Sequence, residues 1–302
     1  MIVRVGTRGS ALARAQTARL VAALGARGVR CRIVTIQTEG DLRPRTPTVA
    51  LGVGAFVKAL EAALAEGRVD AAVHSAKDLP GEARDDLTLA AFLPRDDPRD
   101  VLVARAGAGL AGLPVGATVG TDSPRRRAFL LAARPDLDVR GVRGNVDTRL
   151  RALDAGRLDA LVLAAAGLAR LGLDGRATER LDPSVMLPAA GQGAVVVQTR
   201  AEAGPLAEHL AAVDHAATRA AVTAERALLA ALGGGCRRPI ATLAECAGRR
   251  LRLEAAVLDP DGRRIVRDRL EADAARPEEA GRALAHRLLA LGAGALLYEV
   301  AS

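Results

Sequence analysis

The chain has no tryptophan, one tyrosine and three phenylalanines in 302 residues. Stacking of aromatic rings on unpaired bases, a common grip on single-stranded nucleic acid, therefore has little to work with. The core has to be built from Leu, Val and Ala. Cysteine is scarce and odd in number: Cys31, Cys236 and Cys246 lack the spacing of a zinc site or a disulfide framework, which fits a reducing compartment. His74, His209, His215 and His286 show no metal-ligand spacing. The longest apolar run, residues 160–169, is too short to span a bilayer. Met1-Ile2-Val3-Arg4 enters a strand-like segment directly, without a secretory pattern. These absences lead us to expect a cytoplasmic protein without a metal.

Lysine is nearly missing too. Of the 43 basic residues all but Lys58 and Lys77 are Arg, and the formal net charge is +8. Such a balance suits nucleic acid, an anionic membrane or an acidic ligand. No basic helix is clean enough to read as a groove binder. Neither a P-loop nor a strand-to-helix GxGxxG is present, so a bound nucleotide is not indicated. An acidic small molecule remains, with neither nucleic acid nor membrane as partner.

Short β-like runs alternate with helical stretches over the first two thirds of the chain, the pattern of mainly parallel sheets covered by helices. Strands are expected at 3–6, 32–37, 71–74, 87–92, 101–104, 118–120, 138–141, 160–164 and 194–198, and helices at 11–24, 55–66, 124–133 and 146–155. An internal repeat runs through them. Val5-Gly6-Thr7-Arg8-Gly9-Ser10 and Val119-Gly120-Thr121-Asp122-Ser123 each open a helix. Gly67-Arg68-Val69-Asp70-Ala71 and Gly156-Arg157-Leu158-Asp159-Ala160 each end one. Two lobes of one design follow: residues 1–93 with 194–212, and 94–193. Pro94–Pro98 and Leu187–Gly193 read as the crossings between them. Residues 213–302 form a smaller α+β domain with a helix at 216–232, a hairpin turned by Asp259-Pro260-Asp261-Gly262, and a last helix at 277–291.

Several residues suit anion chemistry. Ser10 and Ser123 stand where helix N-caps belong, and helix N-termini attract carboxylates and phosphates. Arg8 precedes the first; Arg125, Arg126 and Arg127 follow the second, where cations oppose the helix dipole unless an anion sits there. Arg140, Arg143, Arg149 and Arg151 surround Gly144-Asn145, and Arg forks match carboxylates. His74-Ser75-Ala76-Lys77-Asp78-Leu79-Pro80 ends a buried strand, where open sheets bind ligands; Asp78 there could steady developing positive charge. Cys236 lies between three glycines and Arg237-Arg238, a setting that favours a reactive thiolate. Cys31 and Cys246 read as inert.

The ordered set of segments resembles the porphobilinogen deaminase (hydroxymethylbilane synthase) family. It comprises Val5–Ala13, Phe56–Glu61, Ala72–Pro80, Pro94–Asp96, Gly120–Arg126, Val142–Arg149, Leu187–Gly193 and Gly234-Gly235-Cys236. The resemblance implies an α/β fold of two periplasmic-binding-protein-like lobes plus a small C-terminal α+β domain, acting as a monomer. It implies a dipyrromethane cofactor on a thioether to Cys236, and condensation of four porphobilinogen units, with loss of ammonia, into linear hydroxymethylbilane. It further implies that Asp78 holds pyrrole N–H groups and stabilises the azafulvene cation, with Lys77 assisting. Arg8, Arg125, Arg126, Arg143 and Arg149 would bind acetate and propionate groups, with Ser10, Ser75, Ser123, Gln16 and Phe56 completing the cofactor and substrate contacts. Three positions depart from the family pattern: Val53 where a Lys is common, Gln198 where an acid is common, and Arg237-Arg238 after the cysteine. A two-lobed binding protein without catalysis would account for the lobes and arginines, but not for Cys236. Nucleic-acid binding would rest on net charge alone.

Overall fold

The computed structural model describes residues 2–42, 54–80, 84–234 and 238–298. In chain order the strands are β1 (Ile2–Thr7), β2 (Arg30–Thr35), β3 (Ala71–Ser75), β4 (Leu87–Phe92), β5 (Asp100–Ala104), β6 (Thr118–Gly120) and β7 (Asp138–Arg140). They continue with β8 (Ala160–Ala164), β9 (Glu179–Arg180), β10 (Val195–Arg200), β11 (Ile240–Ala247), β12 (Arg250–Leu258) and β13 (Ile265–Asp273). The helices are α1 (Ala11–Gly25), α2 (Glu39–Leu42), α3 (Lys58–Ala65), α4 (Pro124–Ala133) and α5 (Val146–Asp154). After them come α6 (Ala165–Arg170), α7 (Leu206–Ala211), α8 (Ala216–Ala231), α9 (Pro277–Ala290) and α10 (Ala293–Tyr298).

Two five-stranded sheets share one plan, β2-β1-β3-β10-β4 and β7-β6-β8-β5-β9. In each, three neighbouring strands run parallel, the fourth is reversed, and the fifth pairs antiparallel with the fourth. Four strands of each sheet thus point one way. The central strands β3 and β8 are apolar without alternation because helices cover both faces, and four of the five residues in each are buried.

The sequence repeat has a structural counterpart at the level of single bonds. Gly67 and Gly156 both take positive φ (68° and 71°) at a helix end, so each chain turns sharply into the next strand. The Asp70 amide then donates to the Arg4 carbonyl at 2.8 Å, and its carboxylate accepts from the Arg4 amide at 2.8 Å. In the second lobe the Asp159 amide donates to the Thr118 carbonyl at 2.9 Å, and its carboxylate accepts from the Thr118 amide at 2.9 Å. The strand registers agree as well, Gly6 facing Ala72 and Gly120 facing Leu161.

The chain passes between the sheets twice, and the passages lie side by side: Leu93 N donates to Val195 O at 3.0 Å and Asp96 N to Gly193 O at 3.2 Å. The third sheet, β11-β12-β13, is antiparallel. One face packs on the second lobe, with Ala241, Leu243, Ala256 and Leu258 in one cluster with Phe129 and Leu130. The other face is covered by α8, α9 and α10. Burying each such Leu contributes about 2–3 kcal/mol relative to exposure. At the junction of all three sheets sits Glu225 of α8, fully enclosed. It accepts from Arg95 at 2.7 and 3.2 Å, from the Gly191 amide at 2.6 Å and from the Ala244 amide at 2.7 Å.

Strand β11 was absent from the sequence reading. Both faces of its first half are buried, one against each cluster, so the period-2 alternation that betrays a strand does not occur. The helix expected from residue 55 begins only at Lys58. Gly54, at φ 81°, sets a turn in which Val57 N donates to Gly54 O at 2.8 Å. Helices α6 and α7, six residues each, were also missed; they are too short to show a helical period.

Candidate functional site

The loops that follow β1, β3, β6 and β7 all leave from the carboxyl ends of parallel strands. They converge with the return crossing on a cleft of about 350 Å³, within the usual range for small-molecule sites. From the first lobe come Arg8, Ser10, Phe56, Ser75, Lys77 and Asp78; from the second, Arg126 and Arg149. Ser10 caps α1, its Oγ accepting from Ala13 N at 3.2 Å. Arg8 lies flat over the Phe56 ring, 4.1 Å from the centroid, which holds the guanidinium in place. Lys77 and Asp78 sit on a single 3-10 turn after β3. Gly191 packs directly behind that turn: a Cβ there would lie 2.8 Å from Ala76 Cβ and 3.0 Å from Lys77 N, and φ is 70°. Only glycine fits both demands.

Five cations (Arg8, Lys77, Arg126, Arg149 and Arg170) and two carboxylates (Asp78 and Asp147) line the cleft. Part of the positive charge is compensated within the protein. Asp100, fully enclosed at the start of β5, accepts from Arg125 Nη1 at 2.7 Å, from Arg126 Nε at 3.0 Å and from Gln192 Nε2 at 2.9 Å. Burial pushes its carboxyl pKa up, but the charges of Arg125 and Arg126 outweigh that and hold it at about 2. One carboxylate against two guanidinium groups leaves a surplus. Lys77 registers it: burial and then the Arg126 charge lower its pKa to about 8. Burial, followed by Arg126, brings Arg149 to about 10.

The sequence-expected residues divide accordingly. Arg125 points away from the cleft; its Nη1 also donates to Leu187 O at 2.6 Å. The anion expected at the start of α4 is therefore, in part, the protein's own Asp100. Arg127 donates to Val139 O at 2.8 Å. Ser123 caps α4, accepting from Arg126 N at 3.4 Å. Gln16 is buried and donates to Ser75 Oγ at 2.7 Å, so it orients Ser75 instead of lining the cleft. Arg143 turns to Asp122, with Nε 3.3 Å from Oδ2. Arg149 lines the cleft while its Nε donates to Gly144 O at 2.8 Å. Cys236 and Val53 lie outside the described residues. Cys31 and Cys246 are half-buried, and burial raises both thiol pKa values, as suits unreactive groups.

Arg170 went unnoticed in the sequence, where one Arg among so many carries no signal. From α6 it donates to Asp96 Oδ2 at 2.8 Å and to Gly193 O at 2.5 Å, joining both crossings to the cleft wall. Asn145, which makes no side-chain capping bond at the start of α5, also reaches the cleft.

The residues present fit a compact polycarboxylate. Burial first and then the Arg126 charge depress Lys77, and a bound carboxylate would relieve the second of these; Leu163, Ala164, Ala166 and Gly167 add an apolar part to the lining. Among the described residues no group of acidic, His or Cys side chains is arranged to hold a metal ion, and no helix is long and apolar enough to cross a membrane.

Comparison with known proteins agrees with this chemistry. Residues 3–208 match the family model for the porphobilinogen deaminase dipyromethane cofactor binding domain, and residues 219–290 that for the porphobilinogen deaminase C-terminal domain. A porphobilinogen deaminase of Acidothermus cellulolyticus is 51% identical over 301 residues, covering 98% of this chain and 91% of that one. A porphobilinogen deaminase of Mycobacterium tuberculosis is 49% identical over 308 residues, covering 99% of each. A periplasmic substrate-binding protein from Coxiella burnetii aligns over 70% of this chain and 91% of its own, with 20% identity and a TM-score of 0.43. By the family models and the extent of identity, the chain belongs to the porphobilinogen deaminase family, transferases of tetrapyrrole biosynthesis that carry a dipyrromethane cofactor.

Proposed function

We propose that this chain condenses four porphobilinogen molecules head to tail, releasing one ammonia for each, and frees linear hydroxymethylbilane by addition of one water. The observation that carries the reading is the position of Asp78, a carboxylate beside Lys77 in a cleft whose charged lining is mainly cationic. Substrate carboxylates are drawn to Arg8, Arg126 and Arg149. The pyrrole N–H, a donor on the ring that bears those carboxylates, is left to Asp78. As the C–N bond of the protonated aminomethyl group breaks and ammonia leaves, the methylene stays on the ring and positive charge spreads into the pyrrole. The fixed Asp78 carboxylate then interacts more strongly with the transition state than with the ground state. Lys77 supplies a cation for a carboxylate and a proton source near neutral pH, since its pKa is about 8. Ser75, held by Gln16, offers a hydroxyl to the same ligand.

The dipyrromethane, attached through Cys236, supplies when bound the nucleophilic pyrrole carbon at which elongation starts. Helix α8 ends at Ala231, and Gly233, three positions before that cysteine in the sequence, takes a φ of 59° that turns the chain out of the helix. Arg126, Arg149, Lys77 and Asp78 would hold the group in the cleft.

The test is the denatured intact mass of the wild type and of Cys236→Ser, together with ammonia release from porphobilinogen. Added mass of two linked pyrrole units in the wild type alone is the expected result. Asp78→Ala should keep the fold and lower turnover by about 10²–10³-fold. Full turnover in Asp78→Ala refutes the assigned role, and an unmodified, inactive wild type given porphobilinogen refutes the function.

A further inference from the structure

Asp100 and Asp122 each pair with second-lobe arginines named above as carboxylate binders, and the two pairings are built differently. Asp100 is fully enclosed and takes close bonds from Arg125, Arg126 and Gln192, so it is a permanent part of the core. Asp122 lies at the carboxyl end of β6, one residue before the cap of α4, and its side chain is 20% exposed. It meets Nε of Arg143 at 3.3 Å, long for a charge-assisted bond, which runs about 2.7–2.9 Å. The neighbouring residues Gly144 to Asp147 and Arg149 line the cleft, whereas Arg143 meets Asp122. Asp122, Arg143 and Arg149 lie close enough for both of the first two charges to act on the third.

We propose that Asp122 is a positioning residue that competes with a ligand carboxylate: it pairs with Arg143 beside the cleft and yields it when a substrate or product carboxylate arrives. The proposal rests on the reading of Arg143 and Arg149 as carboxylate-binding groups. A buried guanidinium with no counter-charge is costly. A partly exposed carboxylate at one side of it lowers that cost and still leaves the guanidinium exchangeable. Each ligand carboxylate therefore competes with Asp122, which weakens binding of every intermediate alike and favours release of a finished polyanionic product.

The experiment compares porphobilinogen binding and turnover in holoenzymes carrying Asp122→Asn, Asp122→Glu, Arg143→Gln and the Asp122→Asn/Arg143→Gln pair. Binding is measured by calorimetry in the Asp78→Ala background, and KM and kcat in the otherwise wild-type protein. Asp122→Asn should lower the dissociation constant and KM by about two- to fivefold, the range for a partly exposed ion pair, with kcat unmoved. Asp122→Glu should restore wild-type values, and the gain should vanish when Arg143 is already Gln. A role confined to stability would move neither KM nor the coupling between the two positions. Unchanged or weaker binding in Asp122→Asn, or an equal gain without Arg143, overturns the proposal. Full turnover in Asp78→Ala would refute the role assigned to Asp78, and a wild type that releases no ammonia from porphobilinogen the proposed function; the Asp122 comparison is then read as KM in the first case and as calorimetric binding in the second, and either still decides the inference.

Discussion

Replacing Asp100 by Asn keeps the shape of the side chain and removes its charge. In the native protein this fully enclosed carboxylate bridges Arg125 at 2.7 Å and Arg126 at 2.8 Å, while Gln192 donates to it at 2.9 Å. The substitution leaves two guanidinium groups, both buried, without a counter-charge. Breaking one partner out of a buried ion pair costs about 3–5 kcal/mol. Asn can still accept one bond, so the lower half of that range is expected. For a chain of this size that amounts to a fall in Tm of roughly 5–10 °C. The acid titration should follow the same group. Its folded pKa of about 2 lies below the ordinary 3.8, so the stability it confers is fully present above pH 4 and is lost as pH falls through 2. A shift of that size is worth about 2 kcal/mol. Thermal and urea unfolding of wild type and Asp100→Asn, at pH 7 and between pH 2 and 4, measures both effects. The variant should be the less stable at pH 7, and the difference should narrow in acid. A loss below about 1 kcal/mol at pH 7, or a difference independent of pH, would refute the view of Asp100 as the fixed counter-ion of the arginine pair.

Two further outcomes are expected. Lys77, with its pKa lowered to about 8, should give kcat/KM an alkaline limb near pH 8, because the cation is the form that binds carboxylates; Lys77→Arg should move that limb upward, and an unchanged profile would exclude Lys77 as its source. Gly191→Ala should lower kcat while leaving most of the fold intact, since the new Cβ would press on Ala76 and Lys77 N and φ of 70° disfavours Ala; circular dichroism beside turnover checks this, and wild-type kcat would count against a close fit behind the Lys77–Asp78 turn.

Much of this molecule could be read from its sequence, because the information was local. Buried central strands write themselves as apolar runs, Ser at a helix start writes a cap, and Asp259–Gly262 writes a hairpin. The repeated Gly-Arg-x-Asp-Ala announced two lobes of one design because each Asp makes the same pair of backbone bonds at the same strand start. Lys77 and Asp78 could be picked out as candidates because strand ends are where ligands gather, and the arginines because helix N-termini and Arg forks suit carboxylates. What only the tertiary structure decided concerns partners distant in sequence. Nothing local distinguishes Arg125, directed at Asp100 and Leu187, from Arg126, which reaches the cleft one residue later on the same helix. Gln16 serves Ser75 from 59 positions away, and Glu225 joins three sheets through residues up to 130 positions apart. Strand β11 stayed hidden because two different layers cover it, and Arg170 because its meaning lies in Asp96 and Gly193. Charge compensation and burial depend on which atoms meet in space, and a one-dimensional pattern of residue types does not contain that geometry.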